Sequence, residues 1–290
     1  FSSNLGITKA IGNLPMDPLY HLDMPTSMLR DGISLDTFNE KWVIIETYYP
    51  ILSFMKDGYI GNFDKPIMVE TIADLNNIHI KPWAHYILMN DLLFLEESPQ
   101  TRFAKNKPFC GIFDGKLHRF LSLRFYDCLV VDASIFRYIA SAEICHLRLS
   151  DVDIFVNQYD SHDGGYGLIA HEAYDSVVEK IEIVGKCVLS VINQTSGFFG
   201  FVVGAVFGQN SRFEYIITDG FFILVDTKVD ETGDYPETVV GGVFGYVSGE
   251  KQHFRKILAF AVTDYHSSGI YPSNRVAVGF GRIDHADIYV

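Results

Sequence analysis

From residue 109 onward, apolar and polar positions alternate in short runs, and the runs recur. The clearest pair is VVGAVFG at 202–208 against VVGGVFGYVSG at 239–249, 37 residues apart. Weaker copies are DASIFRYI at 132–139, GYGLIAHE at 165–172 and VAVGFGRI at 276–283. Aligning the last apolar position of each places anchors at Phe136, Ile169, Phe207, Phe244 and Phe280, with intervals of 33, 38, 37 and 36. After each anchor comes a run of strand-forming residues, at 143–149, 179–185, 213–225, 254–262 and 286–290. Such runs predict strands whose inward side chains stack on their equivalents in the next repeat. The Val, Ile, Phe and Tyr content favours strands over a helical solenoid. A near-constant spacing favours a β-solenoid over a sandwich or jelly roll, which would give no reason for a repeat. Polar inserts at 157–165 and 226–237 read as loops leaving one side of the stack, where repeat proteins often bind their partners.

One segment breaks the pattern. In KPIMVETIADLNNIHI at 65–80, Thr71 and Asp74 form a capping-box pair, and Ile72, Leu75 and Ile78 make an apolar helical face. This predicts a short helix near 71–78 that covers the otherwise exposed sheet edge at the open end of the stack. The run at 86–94 reads as the first strand. At the other end a strand-like run reaches Val290 with no cap, and the first residue is Phe1 rather than Met. The expectation is that the natural polypeptide continues, or that a partner covers the last strand.

Composition sharpens this picture. Of 290 residues, 48% are hydrophobic and 14% aromatic, which excludes a disordered chain and calls for a large core. The formal charge, 23 − 36 = −13, disfavours nucleic acid and anionic membrane surfaces as partners. The longest apolar or Gly run, 198–207, falls far short of the roughly 18 residues a spanning helix needs. Cys110, Cys128, Cys145 and Cys187 contain no CxxC pair and lie in strand-forming segments. Buried thiols and one or two disulfides both remain open.

The stretch FCGIFDGKLHRFLSLRF at 109–125, followed by SIFRYIASAEICHLRLSDVDI at 134–154, resembles repeat regions that carry the GLUG motif. Phe109, Gly111, Phe113, Asp114 and Gly115 match its Phe-x-Gly-x-Phe-Asp-Gly turn. The Asp-Gly pair suits a tight turn, because Gly accepts a positive φ and Asp bonds locally. The anchors depart from the family, since Ser134 and Ala170 stand where it has Gly. The segment TFNEKWVIIETYYPIL at 37–52 is similar to the tail that ends a preceding repeat array of this kind. The resemblance implies an all-β, right-handed parallel β-helix with a short N-terminal capping helix. It also implies a tail of a preceding module at 1–52, a junction at 53–64 and a β-helix at 65–290, in large secreted, surface-attached or virion-fibre proteins.

Candidate chemistry is sparse. The loop Tyr159, Asp160, Ser161, His162, Asp163, Gly164, Gly165 places two carboxylates and an imidazole close together. Asp160, His162 and Asp163 are the candidate binding residues, with Asp160 and Asp163 the pair that would hold Ca²⁺ if any cofactor binds. Tyr159 and Tyr166 are candidates for stacking on sugar rings, and otherwise belong to the rim of the core. His171 and Glu172 suggest a metal helix, but Asp175 breaks the HExxH spacing, and an exposed corner is the plainer reading. Asp132, Asp151, Asp153, Asp219 and Asp264 lie near strand ends, where Asp serves turns. No phosphate-binding loop, dinucleotide fingerprint or nucleophile elbow occurs. The expectation is a non-enzymatic, adhesive β-helical module of a larger surface or fibre protein, extracellular, contacting a glycan, a protein or copies of itself. The alternatives are a polysaccharide lyase or glycoside hydrolase and a self-assembling filament subunit.

Overall fold

A computed structural model describes residues 42–43, 51–52, 61, 65–94, 108–128, 134–156, 165–192, 197–226, 238–260, 262–267, 275–277 and 279–289. The chain divides into two compact units, Phe1–Ile67 and Met68–Val290. In the first, β1 (Trp42–Val43) and β2 (Ile51–Leu52) pair antiparallel.

Among the described residues the second unit is all-β apart from one short helix. After β3 (Ile67–Val69) comes α1 (Ile72–Asn76), which runs into a 3₁₀ turn at Asn77–Ile80. The predicted capping box forms: Asp74 N donates to Thr71 Oγ1 at 3.2 Å, and Thr71 N donates to Asp74 Oδ2 at 2.9 Å. Leu75 and Ile78 are fully buried, as the apolar face requires. The segment at 86–94 is not one strand but two, β4 (His85–Leu88) and β5 (Leu92–Leu93), and β3 precedes β4 in the sheet order. The chain continues through β6 (Ile112–Asp114), β7 (Arg119–Leu121) and β8 (Arg124–Cys128).

From here each repeat contributes four strands. The first has β9 (Phe136–Ala140), β10 (Glu143–Ser150), β11 (Asp153–Val156) and β12 (Gly165–Tyr166). The second has β13 (Ala170–Tyr174), β14 (Val177–Val184), β15 (Val188–Ile192) and β16 (Gly197–Gly200). The third has β17 (Val203–Phe207), β18 (Arg212–Thr218), β19 (Phe221–Asp226) and β20 (Thr238–Gly241). Then come β21 (Phe244–Ala259), which fuses two strands into one, β22 (Val262–Ser267), β23 (Arg275–Ala277) and β24 (Phe280–Tyr289). Strands of one repeat pair in parallel with their equivalents in the next: β9 with β13, β10 with β14, β11 with β15, β12 with β16. β21 continues both the β17 and the β18 ladders. The result is a large, curled parallel sheet accompanied by a five-stranded and a four-stranded ladder.

The ladders build the core column by column. Phe113, Ile144, Val178, Phe213 and Phe254 stand in register on successive strands, each at most 2% exposed. Parallel strands lie about 4.8 Å apart, so equivalent rings stack: Phe213 on Phe254 at 5.2 Å and 7°, Phe244 on Phe280 at 5.3 Å and 18°. The corners repeat too. Ser141, Asp175, Gly208 and Gly249 all carry positive φ between the first two strands of their repeats.

The register corrects the sequence alignment at two anchors. Phe136 stands opposite Ala170, Ala170 opposite Val203, Val203 opposite Phe244, and Phe244 opposite Phe280. Ile169 and Phe207 are therefore not equivalents of the other three. The two VVG segments mislead because they occupy different strands: Val239 and Val240 pair with Phe198 and Phe199 on β16, whereas Val203 pairs with Phe244. The Asp-Gly turn also differs from its reading. Lys116 and Leu117, not Gly115, take positive φ. Gly115 is needed for close approach, since a Cβ there would lie 2.5 Å from the His146 carbonyl oxygen, and one at Gly111 would run into that of Ala84.

Candidate functional site

The sheet face formed by β10, β14, β18 and β21 carries a local irregularity that the sequence repeats on every strand. His146, Lys180, Tyr215 and Lys256 stand in one register column with φ of 52°, 53°, 54° and 53°. A left-handed residue inserted in a strand breaks the alternation of faces, so two consecutive side chains point outward. The burial pattern shows this: Ile144 and Leu147, Val178 and Ile181, and Phe213 and Ile216 are buried three apart instead of two. Between them, the outward pairs are Cys145–His146, Glu179–Lys180 and Glu214–Tyr215, with Arg255–Lys256 in register beyond them; Cys145 alone of these is covered by its neighbours, at 4% exposed.

These outward groups neutralise one another. Glu179 contacts Lys180 Nζ at 3.3 Å and Arg212 Nη2 at 3.0 Å; Glu214 meets Arg255 Nη1 at 3.4 Å; Glu182 takes Arg148 Nε at 2.8 Å. Lys256 Nζ donates to the Tyr215 hydroxyl at 2.7 Å and lies 4.3 Å from the centre of its ring. At the β6 end, Asp114 aligns with Cys145. Its Oδ1 accepts from Lys116 N at 2.9 Å and faces His146 Nδ1 at 3.1 Å, and its Oδ2 meets Lys116 Nζ at 2.7 Å. Burial alone would raise the Asp114 carboxyl, but the hydrogen bonds and charge of Lys116 and the His146 contact outweigh it and hold it below the ordinary carboxylate value. Lys180 Nζ in turn donates to His146 Nε2 at 3.0 Å. Burial first, then the nearby acidic groups, push the Cys145 thiol up, so it stays protonated at neutral pH.

Next to this column lies an open groove of about 590 Å³, lined by Leu117, Lys180, Glu182, Tyr215, Ile217, Lys256, Ile257 and Leu258. Leu117, Tyr215 and Leu258 are 49%, 40% and 50% exposed, and Phe260 just beyond is 59% exposed. Its lining combines apolar Leu117, Ile217, Ile257 and Leu258 with charged Lys180, Glu182 and Lys256.

Among the residues expected to bind, Tyr159, Asp160, His162 and Asp163 lie outside the described residues, as does the Ca²⁺ reading of Asp160 and Asp163. Tyr166 is buried, stacked on Phe199 at 5.0 Å and edge-on to His171 at 5.2 Å, so its ring is taken up by packing. His171 is likewise buried within β13 and is no exposed corner, because the strand continues through it. Asp151 serves its turn, accepting from Lys186 N at 3.1 Å. Cys145 and Cys187 are free thiols. The groove residues escaped the sequence reading, although the broken alternation at 144–147, 178–181 and 213–216 is visible in it and marks the kink.

Comparison with known proteins finds no matching family model, no matching curated protein and no matching solved structure.

Proposed function

We propose that this chain is a non-enzymatic, adhesive module of a larger surface or fibre protein, built as a right-handed parallel β-helix, with the outer face of β14, β18 and β21 as its binding surface. Register-matched quartets of parallel strands support the β-helix, and the resemblance to GLUG-motif repeats supports the surface setting. The observation that carries the binding reading is the groove itself: exposed Leu117, Tyr215, Leu258 and Phe260 beside Lys180 and Lys256. Exposed apolar patches rimmed by charge mark partner sites on proteins. The partner this chemistry suits is a protein segment with apolar side chains flanked by acidic ones; a glycan stacking on Tyr215 is the other outcome.

The enzyme alternative needs two carboxylates in different protonation states. Glu179 and Glu214 do stand on adjacent strands. Each is already engaged in ion pairs, with Lys180 and Arg212 for one and Arg255 for the other, so both carboxylates serve to join strands across this face.

The test is selection from a random-peptide display library against the whole chain. Apolar, acidic peptides should be recovered, and Leu258→Asp should weaken them by at least about tenfold, the loss expected when a charge enters an apolar contact. Peptides indifferent to Leu258→Asp and Tyr215→Ala would overturn the assignment of the face. A polysaccharide shortened by the parent chain but not by Glu179→Gln would overturn the non-enzymatic reading.

A further inference from the structure

The same kink column holds hydrogen-bonding or charged pairs on three strands and a different chemistry on the fourth. Where β14, β18 and β21 present Glu179–Lys180, Glu214–Tyr215 and Arg255–Lys256, β10 presents Cys145–His146, and β6 sets Asp114 beside them in register. We propose that Asp114, Cys145 and His146 form a binding site for a zinc-type divalent cation, a clip that ties β6 to β10 independently of what the groove binds.

Three arguments carry this. The first is convergence: one carboxylate oxygen, the thiol sulfur and one imidazole nitrogen all lie within 4.8 Å of one another. A tetrahedral zinc with bonds of about 2.0–2.3 Å needs its ligand atoms about 3.3–3.8 Å apart, so closure asks for shifts of about 1 Å. The Asp114–His146 edge, at 3.1 Å, is already closed. The second is donor type. Sulfur beside imidazole selects zinc-like ions and rejects calcium and magnesium, which take oxygen shells. The third is preorganisation. Asp114 is fixed by the Lys116 backbone amide, and the left-handed backbone of His146 brings its ring to the same side as Cys145. The cation place beside Asp114 Oδ2 is held by the ammonium of Lys116, whose side chain is 53% exposed and can swing into solvent.

Binding balances as follows. The Cys145 thiol loses its proton to solvent as the sulfur–metal bond forms. With Lys180 donating to Nε2, the His146 proton resides on Nδ1; it transfers through solvent to Nε2 as Nδ1 binds the metal. Lys180 then keeps its contact with Glu179, 3.3 Å away. Three protein ligands leave one position for solvent.

X-ray absorption on the intact, zinc-loaded chain tests the site without any variant. One sulfur near about 2.3 Å together with nitrogen or oxygen ligands is expected, and a shell of nitrogen and oxygen alone overturns the proposal. Cobalt in place of zinc should give a thiolate-to-metal absorption that Cys145→Ser abolishes. Loss of His146 as His146→Gln should weaken zinc by at least the roughly 10–100-fold that removal of even an outer partner costs. A cobalt band that survives Cys145→Ser places the metal on another cysteine and overturns the proposal, as does failure of the parent to bind zinc at micromolar concentration.

Discussion

Two neighbouring columns of the main sheet follow opposite rules. Phe113, Ile144, Val178, Phe213 and Phe254 put apolar on apolar along the inside of five strands. One residue on, Asp114, Cys145, Glu179, Glu214 and Arg255 face the outside of the same five strands, with Asp114 and Cys145 covered by their neighbours, and the four charged groups are matched mostly by diagonal or kink neighbours such as Arg212 and Lys116. Register therefore does two jobs. Inside, it aligns like with like and gains stability from burial; outside, it spaces unlike groups and leaves the chemistry free to vary. Substitutions should cost much more in the first column than in the second.

The largest loss should come from Phe213→Ala. The ring is fully buried and stacked on Phe254, and removing it should cost about 3–5 kcal/mol in denaturant unfolding. A cost below about 1 kcal/mol would break the comparison. Gly111→Ala comes next, because the new methyl meets the Ala84 carbonyl and backbone has little room to yield; about 1–3 kcal/mol is expected from the same measurement. Thr71→Ala removes the α1 cap and should cost about 1 kcal/mol. Arg255→Ala, from a side chain 65% exposed, should cost between about 0 and 1 kcal/mol, and less still at high salt.

Acid sharpens the contrast. Asp114 is held below its unfolded value of 3.8, so its contribution is fully present above that pH and fades as pH falls through the lower folded value. His85 works at a different pH. Burial lowers it from 6.5, so the folded state binds fewer protons than the unfolded one, and stability falls as pH drops below about 6.5 toward the folded value. In a stability-against-pH series, His85→Gln should flatten the decline just below 6.5, and Asp114→Asn the decline below about 4. If neither variant changes the curve, those two groups do not set the acid limb.

Much of this architecture was legible. The strand runs, the Thr71–Asp74 cap and the buried face of Leu75 and Ile78 rest on local patterning, which tertiary structure does not overrule here. The register was less so. VVG at 202–204 and VVG at 239–241 are alike in sequence but lie on different strands, because small and large apolar residues suit several positions of a repeat equally well. The outer-face chemistry was least legible. Asp114, Cys145 and His146 are 31 and 32 residues apart along the chain, and only the strand pairing makes them neighbours. Glu179, Glu214 and Arg255 likewise look like ordinary surface charge until their column is drawn.

The ladder also bears on how the chain reaches this state. Along the column Phe136, Ala170, Val203, Phe244 and Phe280, each strand finds its partner 34, 33, 41 and 36 residues away. Loop-closure entropy grows only with the logarithm of such lengths, so adding each repeat to an existing edge costs nearly the same. Folding can then advance from a formed edge with no distant segment to wait for, and its slow step is the first pair of repeats to meet.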